Sequence, residues 1–246
     1  MRDLDSFEDE LIEQYKQHPV LANITRLAEE DFAAILLQRR FLSLAFTPVY
    51  DLAIDLLRDE VGLRTARIIL REEYPDSLGY THSHREDMTG DMSRLGVSRA
   101  ALVSSRPTAA TKRAIDDTFT LIADAGEDER SDLRLLTILR FWGEVLVSVE
   151  YGRLWERMEP LLTHAGENRS RFYYPHHVHD AKDRPLESVS LLSVTHSDRL
   201  ALRLRQFLDD GGQEAVDCFK DAEERSLRLK VSFYDQFRPA LERAGG

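Results

Sequence analysis

The run SDLRLLTILRFWGEVLVSVEYGRLWERMEPLL, residues 131–162, decides the fold. Its apolar residues recur at the three- and four-residue spacing of an α-helix and cover more than one stripe. Leu135, Leu136, Leu139, Trp142, Leu146 and Val149 form one side; Phe141, Val147, Tyr151 and Trp155 form another. A helix this apolar belongs at the centre of a bundle. Glu144 lies on the second side, between Phe141 and Val147. A carboxylate in such surroundings needs a partner, because an unpaired buried charge is costly or shifts its pKa.

Outward from this run, helical periodicity dominates. The pattern predicts helices over roughly 5–17, 30–58, 61–74, 81–94, 107–124, 129–163, 187–208 and 212–240. His18-Pro19, Pro75-Asp76-Ser77, Gly79, Gly96, Gly126 and Gly211-Gly212 punctuate them, and Pro48 is expected to kink the second. No internal repeat, Gly/Ser linker or alternating strand pattern interrupts the series. The expectation is one all-α domain spanning 1–246, a multi-helix bundle with under about a tenth of its residues in strand.

The net charge of −11 argues against nucleic acid and anionic membrane surfaces as partners. Cys218 is the single cysteine, so neither an intrachain disulfide nor a cysteine-based metal site is available. The first residues carry Asp3, Asp5, Glu8, Asp9 and Glu10, unlike a signal or transit peptide. No apolar run approaches the ~18 residues of a membrane span, and the cytoplasm is the expected location.

Three polar clusters stand out. Arg71-Glu72-Glu73-Tyr74 is followed closely by His82-Ser83-His84-Arg85-Glu86, Glu144 stands alone, and Tyr173–Asp183 carries His176, His177, His179, Asp180 and Asp183. Pro175 suits a helix start. His176 and Asp180 then fall one turn apart on one face, with Asp183 following. Such a row is how bundle metal sites are made, and histidine with carboxylate suits iron or manganese. The plain alternatives are solvated histidines at a polar helix start and a core Glu144 paired with arginine.

In this order the residues resemble the haem-oxygenase-like diiron oxidases. Glu73 matches the carboxylate before the first histidine and His84 that histidine; the length to Leu95-Gly96 favours His84 over His82. Glu144 matches the central-helix carboxylate, and His176 and Asp180 the first two members of a final His-x-x-x-Asp-x-x-His motif. The third member is Asp183 here, and Pro185 stands where the family's helix continues. That departure leaves open an oxygen-rich second site, a labile one, or one site only; Pro185 is also expected to fray residues 180–188. Asp51 or Asp55 could supply a further carboxylate from the early helix. His18-Pro19, the 38–48 helix and Phe233-Tyr234-Asp235-Gln236-Phe237 also resemble family segments.

The resemblance implies a haem-oxygenase-like bundle holding two irons per chain, Fe(II)/Fe(III), and using O2 to oxidise a small amino-acid-like or fatty-acid-like substrate. N-oxygenation, desaturation and oxidative C–C cleavage in natural-product biosynthesis are the implied outcomes. An external electron donor and a homodimer remain open. Arg39, Arg40, Arg140 and Lys182 are candidates for meeting a substrate carboxylate. Three rivals stand beside this reading. A cofactor-free, thiaminase-like enzyme of the same fold needs a nucleophile, and Cys218 is the only thiol. A haem enzyme needs a proximal histidine near the chain start, where only His18-Pro19 is found, expected in an exposed turn. A non-catalytic helical binding protein needs neither.

Overall fold

A computed structural model of the chain describes residues 1–75, 80–190, 192 and 195–244. The helices are α1 (Arg2–Lys16), α2 (Pro19–Ala22), α3 (Glu29–Leu56), α4 (Glu60–Glu72), α5 (His84–Arg94), α6 (Arg99–Ser104), α7 (Ala109–Glu127), α8 (Ser131–Ile138), α9 (Leu146–Leu162), α10 (Tyr173–His179), α11 (His196–Asp235) and α12 (Arg238–Ala244). A π-helical segment, Leu139–Val145, joins α8 to α9 without a break. The strand content among the described residues is one antiparallel pair, Thr163–His164 with Glu167–Asn168, closed through Ala165 and Gly166 at positive φ. The all-α expectation therefore holds.

The 131–162 run is central, as its two apolar sides require. Every residue from Leu139 to Val145 is buried. α8 and the π segment pack against α11, and α9 packs against α1 and α10. A π turn adds a residue to one helical turn and so re-aims the residues around it. Here Trp142, Gly143 and Glu144 all come to line the same cavity. α3 packs on α7 and α4 and runs through Pro48 as one helix. By length and composition α3 alone among the described residues passes as a membrane span, contrary to the expectation from the apolar runs. Its inner side is in the core at Ile35, Leu36, Val49 and Tyr50, and Arg39 and Ser43 line the cavity.

Helix boundaries moved where capping chemistry outweighed periodicity. The helix expected over 81–94 starts at His84, because Ser83 and Glu86 form a reciprocal capping box. The helix expected over 187–208 starts at His196, where the Thr195 side chain accepts from Asp198 N. Before it come only a short 3-10 turn at Leu186–Ser188 and residues that in part lie outside those described. The expected break at Gly211-Gly212 is a kink within α11, with Gly212 at φ 61°, ψ −156°, a conformation that suits glycine. Asp76, Ser77 and Gly79 lie outside the described residues.

Candidate metal centre

α10 is a short helix that other elements hold in place. Its own N-cap, Phe172, offers no side-chain acceptor. The buried Asp91 of α5 replaces it, accepting from Ser170 Oγ (2.7 Å), Arg171 N (3.1 Å) and Phe172 N (2.9 Å). A carboxylate there also meets the positive end of the helix dipole. On the other side Ser148 Oγ donates to the His177 carbonyl (2.6 Å), and His177 Nδ1 donates to the Ser148 carbonyl (3.0 Å). Gly152 lets the two helices approach: a Cβ there would stand 2.7 Å from the His177 ring.

Held in this way, α10 and its C-cap present His176 and Asp180 four residues, about one helical turn, apart, about 6 Å along the axis. Each belongs to a different three-residue group. Glu73, His84 and His176 bring one ligand atom each to within 4.8 Å of one another; Glu144, Asp180 and His196 do the same and are all buried. In the first group His84 Nδ1 lies 2.9 Å from Glu73 Oε1, and the His84 and His176 rings are 4.6 Å apart. His176 Nδ1 donates to the Phe172 carbonyl at 2.7 Å, which leaves Nε2 as its free ligand atom. In the second group His196 Nδ1 stands 3.3 Å from Glu144 Oε2 and 3.4 Å from Asp180 Oδ1. Its Nε2 meets Glu72 Oε2 at 3.0 Å. Tyr50 donates a short hydrogen bond to Glu144 Oε1, and Gly143 leaves room for that ring, 3.2 Å from where a Cβ would be.

The protonation states follow from these contacts. Burial, reinforced by His84, lowers the His176 pKa to about 3, so this imidazole is neutral and ready to ligate. Burial also opposes charge on His196, but Asp180 and Glu144 outweigh it and push its pKa up to about 11. Burial and the neighbouring Glu144 raise Asp180 well above the usual carboxylate range. Without an ion, the positive charge favoured on His196 balances the buried carboxylates beside it. A divalent cation would replace that charge. Three histidines and three carboxylates without a thiol, and Glu72 behind His196, are the donor chemistry of iron or manganese, with the outer carboxylate orienting the imidazole.

Five of the six expected ligands, Glu73, His84, Glu144, His176 and Asp180, are brought to this place. Asp183 is not. α10 ends at His179 with Asp180 as its C-cap, so the i+7 position leaves the helical face. The Asp183 side chain is 61% exposed, beside Arg184. His196, from the first turn of α11, completes the second group instead. The signal that would have found it is Thr195-x-x-Asp198, a helix start hidden by assuming a helix already under way. The expected fraying of 180–188 is countered by anchors on α1: Lys182 pairs with Glu8 (3.0 Å) and Asp9 (2.7 Å), and Leu186 N donates to Asp5 (2.7 Å). Asp51 and Asp55 are exposed on α3 and do not reach the centre; Tyr50 is the α3 residue that does. His82 is also outside it, 55% exposed and near Asp87.

Both groups open on one cavity of about 550 Å³. Of the cations proposed for a substrate carboxylate, Arg39 lines it; Arg40, Arg140 and Lys182 do not. Arg140 is buried against Glu8 and Glu223, and Arg40 donates to the Leu102 carbonyl and Ser105. His18 does not line the cavity either. It is buried rather than in an exposed turn, capping α2 and meeting Asp235 at 3.2 Å.

No family model matches the chain, and no curated protein matches it in sequence. Solved structures do match in shape. A CADD-like protein of unknown function from Nostoc punctiforme superimposes with a TM-score of 0.65 at 12% identity, covering 98% of this chain and 99% of its own. A TenA family transcription regulator from Silicibacter sp. gives 0.57 at 16% identity, over 95% of each chain. A TenA homologue from P. horikoshii gives 0.56 at 15%, over 97% of this chain and 98% of its own. The fold is the haem-oxygenase-like helical bundle. Likeness at this identity extends to the fold alone, so the function rests on the residues of the bundle's own cavity.

Proposed function

We propose that this haem-oxygenase-like bundle is a non-haem two-iron enzyme that uses O2 to oxidise a small organic substrate, N-oxygenation, desaturation and C–C cleavage being the candidate outcomes. The observation that carries the reading is the pair of histidine–carboxylate groups that face one cavity, His176 of one and Asp180 of the other being about one helical turn apart. Glu73, His84 and His176 would hold one iron, and Glu144, Asp180 and His196 the other. Bound there, the metals would supply the electrons that dioxygen needs.

The remaining work belongs to the chain. Glu72 fixes the ring of His196 through Nε2 and favours its Nδ1 as the ligand atom. Tyr50 holds Glu144 from the side of α3. Phe46, Trp142, Met88 and Phe172 give the cavity apolar walls that exclude water from a reacting centre. Cys218, the only thiol, is outside this cavity, which removes the nucleophile a thiol-based hydrolase would require. His18 is spent on Val20 N and Asp235, which leaves no proximal histidine for haem. A cytoplasmic place in natural-product biosynthesis belongs to the same proposal and rests on the sequence resemblance.

Anaerobic titration of chelator-treated protein with Fe(II) tests the reading. About two equivalents per chain should bind, with O2 uptake on exposure to air. Binding of haem with a Soret band, or no iron binding at all, would overturn it.

A further inference from the structure

The cavity has a second polar region that the metal-holding residues do not use. Lys230, on α11, is 4% exposed, and Arg39, on α3, is 5% exposed; both line the cavity. Two buried cations there face one buried carboxylate. Arg39 Nε donates to Glu150 Oε1 at 2.5 Å and its Nη1 to Ser43 Oγ at 2.8 Å. Tyr234 donates to the same Glu150 oxygen. Lys230 Nζ has only the other one, Glu150 Oε2, at 3.7 Å, beyond hydrogen-bond distance. The Lys230 ammonium also lies over the face of Trp142, 5.1 Å from the ring centroid. Glu150 Oε1 is taken by Arg39 and Tyr234, while Oε2 has no hydrogen-bond partner and meets Lys230 only as a loose ion pair, so two buried cations share one carboxylate. A buried ammonium in that position either gives up its proton or waits for an anion.

We propose that Lys230 and Arg39 form an anion subsite that receives the carboxylate of an acidic, otherwise apolar substrate. The inference rests on reading the cavity as a substrate site, and it sets the substrate's direction. Arg39 lies 5.0 Å over the Tyr151 ring, whose centroid is 6.0 Å from that of the His176 ring. On the other side Lys230, Trp142, Phe46 and Tyr50 follow one another toward Glu144, with Phe46 6.2 Å from Trp142 and 4.4 Å from Tyr50. Aromatic side chains thus lie between the cations and both groups, Tyr151 toward His176 and Trp142, Phe46 and Tyr50 toward Glu144. An acid anchored on Lys230 and Arg39 would lie along these rings with its opposite, apolar end toward the candidate metal centre.

Proton linkage supports the assignment. Burial lowers the Lys230 pKa to about 7; Glu150 of α9 opposes the shift, Arg39 of α3 adds to it, and Glu144 of the π segment opposes it. A bound carboxylate favours the ammonium and moves that pKa up. Acid affinity should then be highest below about pH 7 and fall as the amine deprotonates.

The test uses the whole chain, metal-free, with 3-phenylpropionate and its alcohol, 3-phenylpropan-1-ol, as probes. Calorimetry at about pH 6.5 should show the acid binding at least about tenfold more tightly than the alcohol. Lys230→Met should lose that preference while binding the alcohol as the parent does, and Arg39→Lys should weaken the acid with less disruption of Glu150 than a neutral residue. Lysine Cε chemical shifts should place the Lys230 titration higher in the acid complex than in free protein. Equal acid binding by parent and Lys230→Met, no acid preference, or acid binding that appears only after iron is added would each overturn the subsite. Fe(II) stoichiometry of Lys230→Met separates the two readings. Acid binding that depends on Lys230 in a protein that takes up no iron keeps the subsite and removes the two-iron proposal.

Discussion

His196 Nδ1 stands 3.3 Å from Glu144 Oε2, and this contact ties the first turn of α11 to the π segment at the centre of the bundle. It also makes His196 the only imidazole of the second group. Replacing it with alanine should remove about one of two Fe(II) equivalents in anaerobic titration, since two carboxylates alone make a weaker site. Glu73, His84 and His176 should keep the other. Uptake of two equivalents with unchanged affinity by His196→Ala would take this residue out of the centre.

Asp183 supplies the contrasting prediction. It is exposed beyond the end of α10, whereas Asp180 is buried between Glu144 and His196. Asp183→Ala should change Fe(II) affinity by less than about twofold, and Asp180→Asn should weaken one equivalent by at least about tenfold. The same pair of titrations decides which aspartate matters. Equal losses in the two variants would restore Asp183 to the ligand set.

What the sequence made readable is what periodicity governs. The apolar sides of residues 131–162 placed that run at the centre, and one-turn spacing put His176 and Asp180 on one face. Local capping chemistry set the rest. Thr195 starts a helix whose first residue is His196, and a run treated as helical from 187 onward concealed that start. Pro185 was readable as a break, yet the i+7 extension to Asp183 crossed the end of the helix. Arg39 could be named among four cations but not selected. Lys230, on an α11 face whose neighbours come from α3 and α9, gave no local signal. Contacts across the bundle decide both, and no spacing along the chain encodes them.

Gly152 offers a test of the scaffold. A Cβ at this position would meet His177 Cε1 at 2.7 Å and Nδ1 at 2.8 Å, so α10 must shift or the ring must leave its hydrogen bond to Ser148. Gly152→Ala should cost about 1–3 kcal/mol in urea unfolding, typical of overpacking, and weaken iron binding through displaced His176 and Asp180. His177→Ala removes the clash, and the double variant should recover part of both losses. Strictly additive losses would show that Gly152 acts by some route other than its approach to His177.

Glu223 gives the pH prediction. It is fully buried with Glu8 and Arg140, and Arg140 Nη1 lies 3.6 Å from its Oε1. Burial and the adjacent Glu8 raise its pKa well above the ordinary glutamate value, while Arg140 and Lys182 oppose the shift. The folded chain therefore keeps this proton to a higher pH than the unfolded chain does. The stability it contributes is complete below the unfolded glutamate pKa and is lost as pH climbs through the raised folded value. Between the two values the slope approaches about 1.4 kcal/mol per pH unit for one proton. Glu223→Gln keeps a neutral donor beside Glu8 and has no proton to lose. Denaturant unfolding of metal-free protein as pH rises from the ordinary glutamate range should show the parent losing stability relative to Glu223→Gln by up to that slope. Parallel profiles for the two proteins would mean that Glu223 is ionised in the folded bundle, balanced by Arg140 and Lys182.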